Sequence, residues 1–204
     1  MTIDVSDTMA APIELIGYAL TLTPAAFVHY AQPSSGPALA IGILLLGGLS
    51  HAIGQSVALF AHRTQPWRFT LSLATGAVVF AASIVIWCAA LAVATHYLLQ
   101  RDVPLDQVIR VVGLAHAPRL LSFFTFTPYF GSGIGVLLTL WTYLAVAIGA
   151  RAAFGLERVE TLVILGAAWF LSEAIARLIG RPLIAGVRQV VRRRRAAPPS
   201  ATKP

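Results

Sequence analysis

Residues Val111 to Phe154 read VVGLAHAPRLLSFFTFTPYFGSGIGVLLTLWTYLAVAIGARAAF, two apolar segments that meet at a Pro-aromatic-Gly corner. The first carries His116, Pro118 and Arg119, and hydrocarbon does not accept a guanidinium without compensation. The second opens with GSGIG and runs uncharged from Ile134 to Ala150. A pair of this length and polarity belongs in a membrane, and its packing decides the fold.

Composition agrees. The hydrophobic fraction of 57% against a charged fraction of 11% excludes an ordinary soluble globule. The net charge of +7 is not spread over the chain: after Gly180 there are seven Lys/Arg and no acids, whereas the preceding residues carry eight of each sign. The basic character therefore belongs to one tail. A single cysteine, Cys88, excludes an intramolecular disulfide, and the acidic start (Asp4, Asp7, Glu14) argues against a secretory signal peptide.

Outward from the central pair, residues 12–30 are apolar but broken by Glu14 and Pro24, which suits an interfacial or half-inserted helix better than a span. The linker AQPSSGP leads to a first span at 38–60, and a second runs from 70 to 99 without a charge. Further spans are expected at 111–129, 134–150 and 161–180. Beyond them Leu183, Ile184, Val187, Val190 and Val191 recur at helical spacing, as in a helix on a membrane surface. The expected fold is thus all-α, a polytopic transmembrane helical bundle of about five spans. It comprises an N-terminal segment 1–36 with its interfacial helix, a membrane domain 37–181, and an amphipathic basic segment followed by disorder over 182–204. Lys/Arg counts place the carboxyl terminus in the cytoplasm and the amino terminus outside, with Arg110 among the external loop cations. The cell (inner) membrane is the expected location.

His51 and Gln55, four apart, share a face of the first span, and His116 and Arg119 share one in the central segment. Pro118 withholds a backbone donor and frees the carbonyl of Leu114, kinking the helix. Glu173 and Arg177 are again four apart, in the favourable order for a local pair. These six residues are the candidate intramembrane polar cluster, either lining a pathway or latching helices to one another. In the latch reading Arg119 finds Glu173 or a freed carbonyl. Gly131 with Gly135, and Ala145 with Gly149, give small-xxx-small spacings for close helix packing. Arg188, Arg192, Arg193, Arg194 and Arg195 suit anionic lipid headgroups. Nucleic acid is an unfavoured partner, because no aromatic platform accompanies that charge. Ser83, Ser122 and Ser172 lack a nucleophile motif. No HExxH or thiolate pair is present for a metal, so neither catalysis nor a cofactor is expected.

With those residues in view, the chain resembles the Ypt/Rab-GTPase-interacting membrane protein family (the Yip domain), bacterial branch. VVGLAHAPRLL is similar to that family's Gly-Tyr-Ala-x-x-Pro-x-Leu-Leu segment. The TPYFGSGIG corner, LWTYLAVAIGARAAFGL and the early TLTPAAFVHY extend the likeness over most of residues 20–180. His116 departs from the pattern, as does the basic tail, and there is no large soluble N-terminal region on which to expect GTPase binding. The resemblance implies a five-helix membrane domain without established catalysis, serving as scaffold, adaptor or accessory subunit through contacts with other membrane proteins or itself. A small transporter or channel component is the alternative. The family's cytoplasmic amino terminus runs against the charge-based orientation.

Overall fold

The computed structural model describes residues 12–60, 66–127 and 129–175, the side chains of residues 55–60, 66, 68–69 and 72 excepted. All the regular structure among the described residues is helical. Two short helices, α1 (Pro12–Leu20) and α2 (Pro24–Tyr30), precede a single 3-10 turn at Pro33–Ser35. The long α3 (Ala38–Phe60) and α4 (Pro66–Leu99) follow. Then come α5 (Leu105–Ala115), a 3-10 segment (Ala117–Phe126), α6 (Gly131–Phe154) and α7 (residues 158–175).

Among the described residues two stretches are long and apolar enough to cross a membrane, Leu73–Leu99 of α4 and Gly131–Phe154. A third arises if α5 and the 3-10 segment, bent by 41° relative to each other, form one broken span. At 1.5 Å per residue, the 34 residues of α4 reach about 50 Å, longer than a hydrocarbon core of ~30 Å, so α4 exceeds what a span requires.

The ends of these helices follow local chemistry. Pro24 and Pro66 stand at helix starts, where a missing N–H costs nothing. Gly155 takes φ 64° and closes α6, with the N–H of Leu156 donating to the Arg151 carbonyl at 3.1 Å. Glu160 then caps the start of α7: its carboxylate accepts the Glu157 N–H at 2.9 Å. Arg101 donates to the Gly155 carbonyl at 3.0 Å, so the α4–α5 and α6–α7 connections lie at one end of the bundle. The corner before Gly131 lies at the other.

Several expectations need correction. Residues 12–30, expected as one interfacial or half-inserted helix, form two short helices that pack inward: Ala19, Phe27 and Tyr30 share one core with Ala40 of α3, Val111 of α5 and Val146 of α6. What draws them in is Phe27, whose ring packs where a Cβ on Gly149 would lie at 2.8 Å. Arg110 is not an external loop cation but 3% exposed, donating to Asp106 at 2.7 Å and to the Ala31 carbonyl at 3.0 Å. Two adjacent acceptors, one on α2's end, make its burial affordable. The helix spanning 111–129 breaks rather than kinks: α5 ends at Ala115 and the chain continues as 3-10 helix. Leu114 is not left with a free carbonyl, since Val112, Gly113 and Leu114 all accept N–H groups at the helix end. Helix α6 also starts earlier than expected, with GSGIG as its first turns, and runs to Phe154.

Candidate functional site: two cavities that meet at Arg119

The 3-10 segment is held against α3 by a serine and two glycines. The Ser50 hydroxyl donates to the Leu120 carbonyl at 2.8 Å and accepts the Phe123 N–H at 2.8 Å, inserting between two groups one 3-10 turn apart. Gly47 gives room to Arg119, where a Cβ would lie 3.2 Å from the arginine Cβ. At Gly54 a Cβ would meet the Ser122 carbonyl at 2.6 Å, which only hydrogen allows.

A 3-10 helix has three residues per turn, so side chains at i and i+3 eclipse. Arg119, Ser122 and Thr125 therefore stand in one column, with His116 capping the turn that starts it. His116 is fixed from below: its Nδ1 lies 2.7 Å from the Val112 carbonyl. A carbonyl can only accept, so Nδ1 carries the hydrogen and Nε2 is left free to accept. Phe80 of α4 sits beside both imidazoles, edge-on to His116 at 6.3 Å and tilted to His51 at 6.1 Å between ring centroids.

Two cavities flank this column. The first, about 430 Å³, lies between α4, α6 and α7; it is lined by His116, Arg119 and Glu173 together with Trp87, Thr142 and Trp169. The second, about 360 Å³, lies between the column, His51 of α3 and the first turns of α6, which contribute Ser132, Gly135 and Thr139. Arg119 lines both. Among the described residues its guanidinium makes no ion pair, and its buried Nε has no hydrogen-bond partner. Ser122, 1% exposed, has an unpartnered hydroxyl as well.

Of the residues expected to form a polar cluster, the structure brings His116, Arg119 and Glu173 to one cavity and His51 and Arg119 to the other. Arg119 and Glu173 share a wall without an ion pair between them. Arg177, Arg188, Arg192, Arg193, Arg194, Arg195 and the whole segment 182–204 lie outside the described residues, as does the side chain of Gln55. The small residues divide by role. Gly131 abuts the Thr125 carbonyl too closely for any Cβ, Ala145 is fully buried, and Gly149 receives Phe27. A Cβ on Gly135, by contrast, would meet only the Thr125 methyl group at 3.8 Å, because that glycine borders the second cavity.

Sequence reasoning passed over Ser122, Ser50 and Thr125 as functional positions. The available signal was the period: polar residues fall at every third position from His116 to Thr125, a 3-10 rather than an α-helical repeat. Arg110 was missed for a different reason, since only the docking of α2 supplies its second acceptor.

Fold and site together define, among the described residues, an all-helical arrangement with two to three helices long and apolar enough to cross a membrane, built around a cationic, cavity-bordered 3-10 column. Comparison of the chain with family models, with characterised proteins and with solved structures finds no match.

Proposed function

We propose that this chain is a non-enzymatic, multi-pass protein of the cell (inner) membrane. In this reading α3, α4, the α5 and 3-10 pair, α6 and α7 supply five spans, and the protein acts as scaffold, adaptor or accessory subunit through helix and lipid contacts. The observation that carries it is the outer surface of the long helices. Val79 and Ile86 of α4, Val136 and Leu140 of α6, and Leu162 and Phe170 of α7 are all exposed. Apolar surface repeated along successive helices is what lipid tails and partner helices cover. The likeness to the Yip family, with a membrane-organising role and without GTPase binding, belongs to the same proposal. So does a cytoplasmic basic tail on anionic headgroups. Cross-linking in native membranes followed by mass spectrometry tests the reading. Adducts to itself or to other membrane proteins support it, whereas a protein that gives none and purifies only as a monomer removes it.

A second reading, a small transporter or channel component, is favoured by the junction of the two cavities at Arg119. Solute flux in proteoliposomes that is unchanged by Arg119→Ala and Glu173→Gln would count against it.

A further inference from the structure

We propose that the first cavity binds the ring of a neutral, lipid-soluble phenol, whose hydroxyl donates to Nε2 of His116. The inference rests on the membrane reading above and adds a ligand to it.

His116 is 6% exposed and lines the first cavity. Its hydrogen bond runs through Nδ1 to the Val112 carbonyl at 2.7 Å, and Nε2 has none. Among the described residues, the buried side-chain polar atoms that are both sealed from solvent and unpartnered are Arg110 Nε, Arg119 Nε and Ser122 Oγ. His116 Nε2 is not one of them, so it is open to the space that its ring lines. An acceptor held in the interior without a hydrogen is costly. This one meets a cavity of about 430 Å³, a size that takes a small molecule.

The rest of the lining sets what can supply that hydrogen. Ser83, Thr142 and Ser172 have given their hydroxyl hydrogens to the carbonyls of Phe80, Leu138 and Trp169, at 2.7, 2.7 and 2.9 Å. They too offer lone pairs rather than hydrogens. Arg119 and Glu173 both line the cavity, and among the described residues around it their formal charges cancel. Neither an anion nor a cation is selected, which leaves a neutral hydroxyl as the group that His116 accepts from. Phe80, Trp87, Tyr143 and Trp169 line it as well. Contact between aromatic rings contributes beyond the area it buries, so the hydroxyl is carried on an aromatic ring.

Access decides what else the ligand carries. Ile86, Tyr143 and Trp169 line the cavity and are also 46%, 49% and 48% exposed, on α4, α6 and α7. The cavity therefore opens on the helix surface that acyl chains cover in the membrane reading, and its ligand arrives through lipid. That route asks for an apolar tail on the ring.

The test uses the purified full chain in micelles of a zwitterionic detergent, with binding read by isothermal titration calorimetry and heats of mixing into empty micelles subtracted. The probes are para-nonylphenol, its methyl ether, nonanol and nonanoate. One para-nonylphenol per chain is expected. It should be held about tenfold or more tightly than the ether, which has no hydrogen to give, and more tightly than nonanol, which has no ring. His116→Phe should remove the preference for the phenol over its ether, a selectivity that a loss of packing alone does not move. Ser83→Phe adds bulk at an exposed position bordering the cavity. It should abolish binding while the thermal midpoint without ligand stays near that of the parent. Gly135→Val, on the other cavity only, should leave binding unchanged. If His116→Phe does not fold, the ether comparison and Ser83→Phe decide the matter. Binding unaffected by Ser83→Phe overturns the site, and equal affinity for phenol and ether overturns the hydrogen bond to His116. Nonanol bound as tightly as the phenol overturns the ring, and nonanoate bound as tightly overturns the neutral ligand. Alkaline carbonate extraction separates the two levels: release of the chain from membranes sinks the membrane reading itself, whereas failed phenol binding by a chain that stays in the pellet sinks the site alone.

Discussion

Removing one oxygen atom from α3 tests how the 3-10 segment is held. Ser50 is 8% exposed, and its hydroxyl makes two hydrogen bonds of 2.8 Å to backbone groups seventy residues and more away in sequence. An intramolecular hydrogen bond contributes about 1 kcal/mol net in water, and interhelical side-chain bonds in a membrane protein average ~0.6 kcal/mol with a ceiling near 1.7. Two bonds lost give about 1–2 kcal/mol for Ser50→Ala. The cost stays at that level because the Leu120 carbonyl and Phe123 N–H stand one 3-10 turn apart and can close on each other once the hydroxyl is gone. Ser83→Ala is the control. That hydroxyl donates to the Phe80 carbonyl of its own helix at 2.7 Å and is exposed, so its loss should stay within about 0.5 kcal/mol. Reversible unfolding of the purified chain in mixed micelles, followed by circular dichroism against denaturing detergent, measures both. Equal stability of the two variants would refute the claim that Ser50 fastens the column to α3.

Gly113 is expected to resist the smallest substitution. A Cβ there would lie 2.5 Å from the Ala40 Cβ and 2.9 Å from its Cα, so α5 and α3 must separate, at an overpacking cost of about 1–3 kcal/mol. Gly42→Ala, where nothing lies within 4 Å, should instead gain up to about 1 kcal/mol of helix propensity; a pair of variants with the same sign would contradict the close approach. Arg110→Met keeps much of the side chain's volume but leaves the Ala31 carbonyl without its donor, a loss of about 1–3 kcal/mol. Limited proteolysis should then cut first between α2 and α3, and parental resistance there would show that the arginine does not pin α2. The His96–Asp102 contact, with side chains 52% and 89% exposed, should contribute nothing measurable, so His96→Gln leaves the same unfolding midpoint.

The helical character of this chain was legible because long uncharged runs leave no other way to satisfy the backbone in an apolar setting. The outline of α3 and the end of α4 followed from where charges and prolines interrupt those runs, whereas α6 runs past its expected bounds at both ends. The grouping of His116 with Arg119 was legible too, since residues three apart share a face in either helix type. Less was visible at Val111–Phe126. Its composition suits a continuous helix with a proline kink, and the change to three residues per turn is imposed by contact with Ser50, Gly47 and Gly54, which lie far off in sequence. That change is what turns a polar pair into a column ending at Ser122 and Thr125.

By itself, then, the sequence determined which segments are apolar, where they are interrupted, and that one of them carries a cation needing compensation. Only the tertiary structure decided that Arg110 is buried between Asp106 and Ala31, that α1 and α2 belong to the common core, and that Arg119 stands between two cavities. The physical reason is the range of the interactions. Hydropathy and backbone satisfaction are settled within a helix, whereas the partners of a buried charge come from helices that sequence order does not bring together.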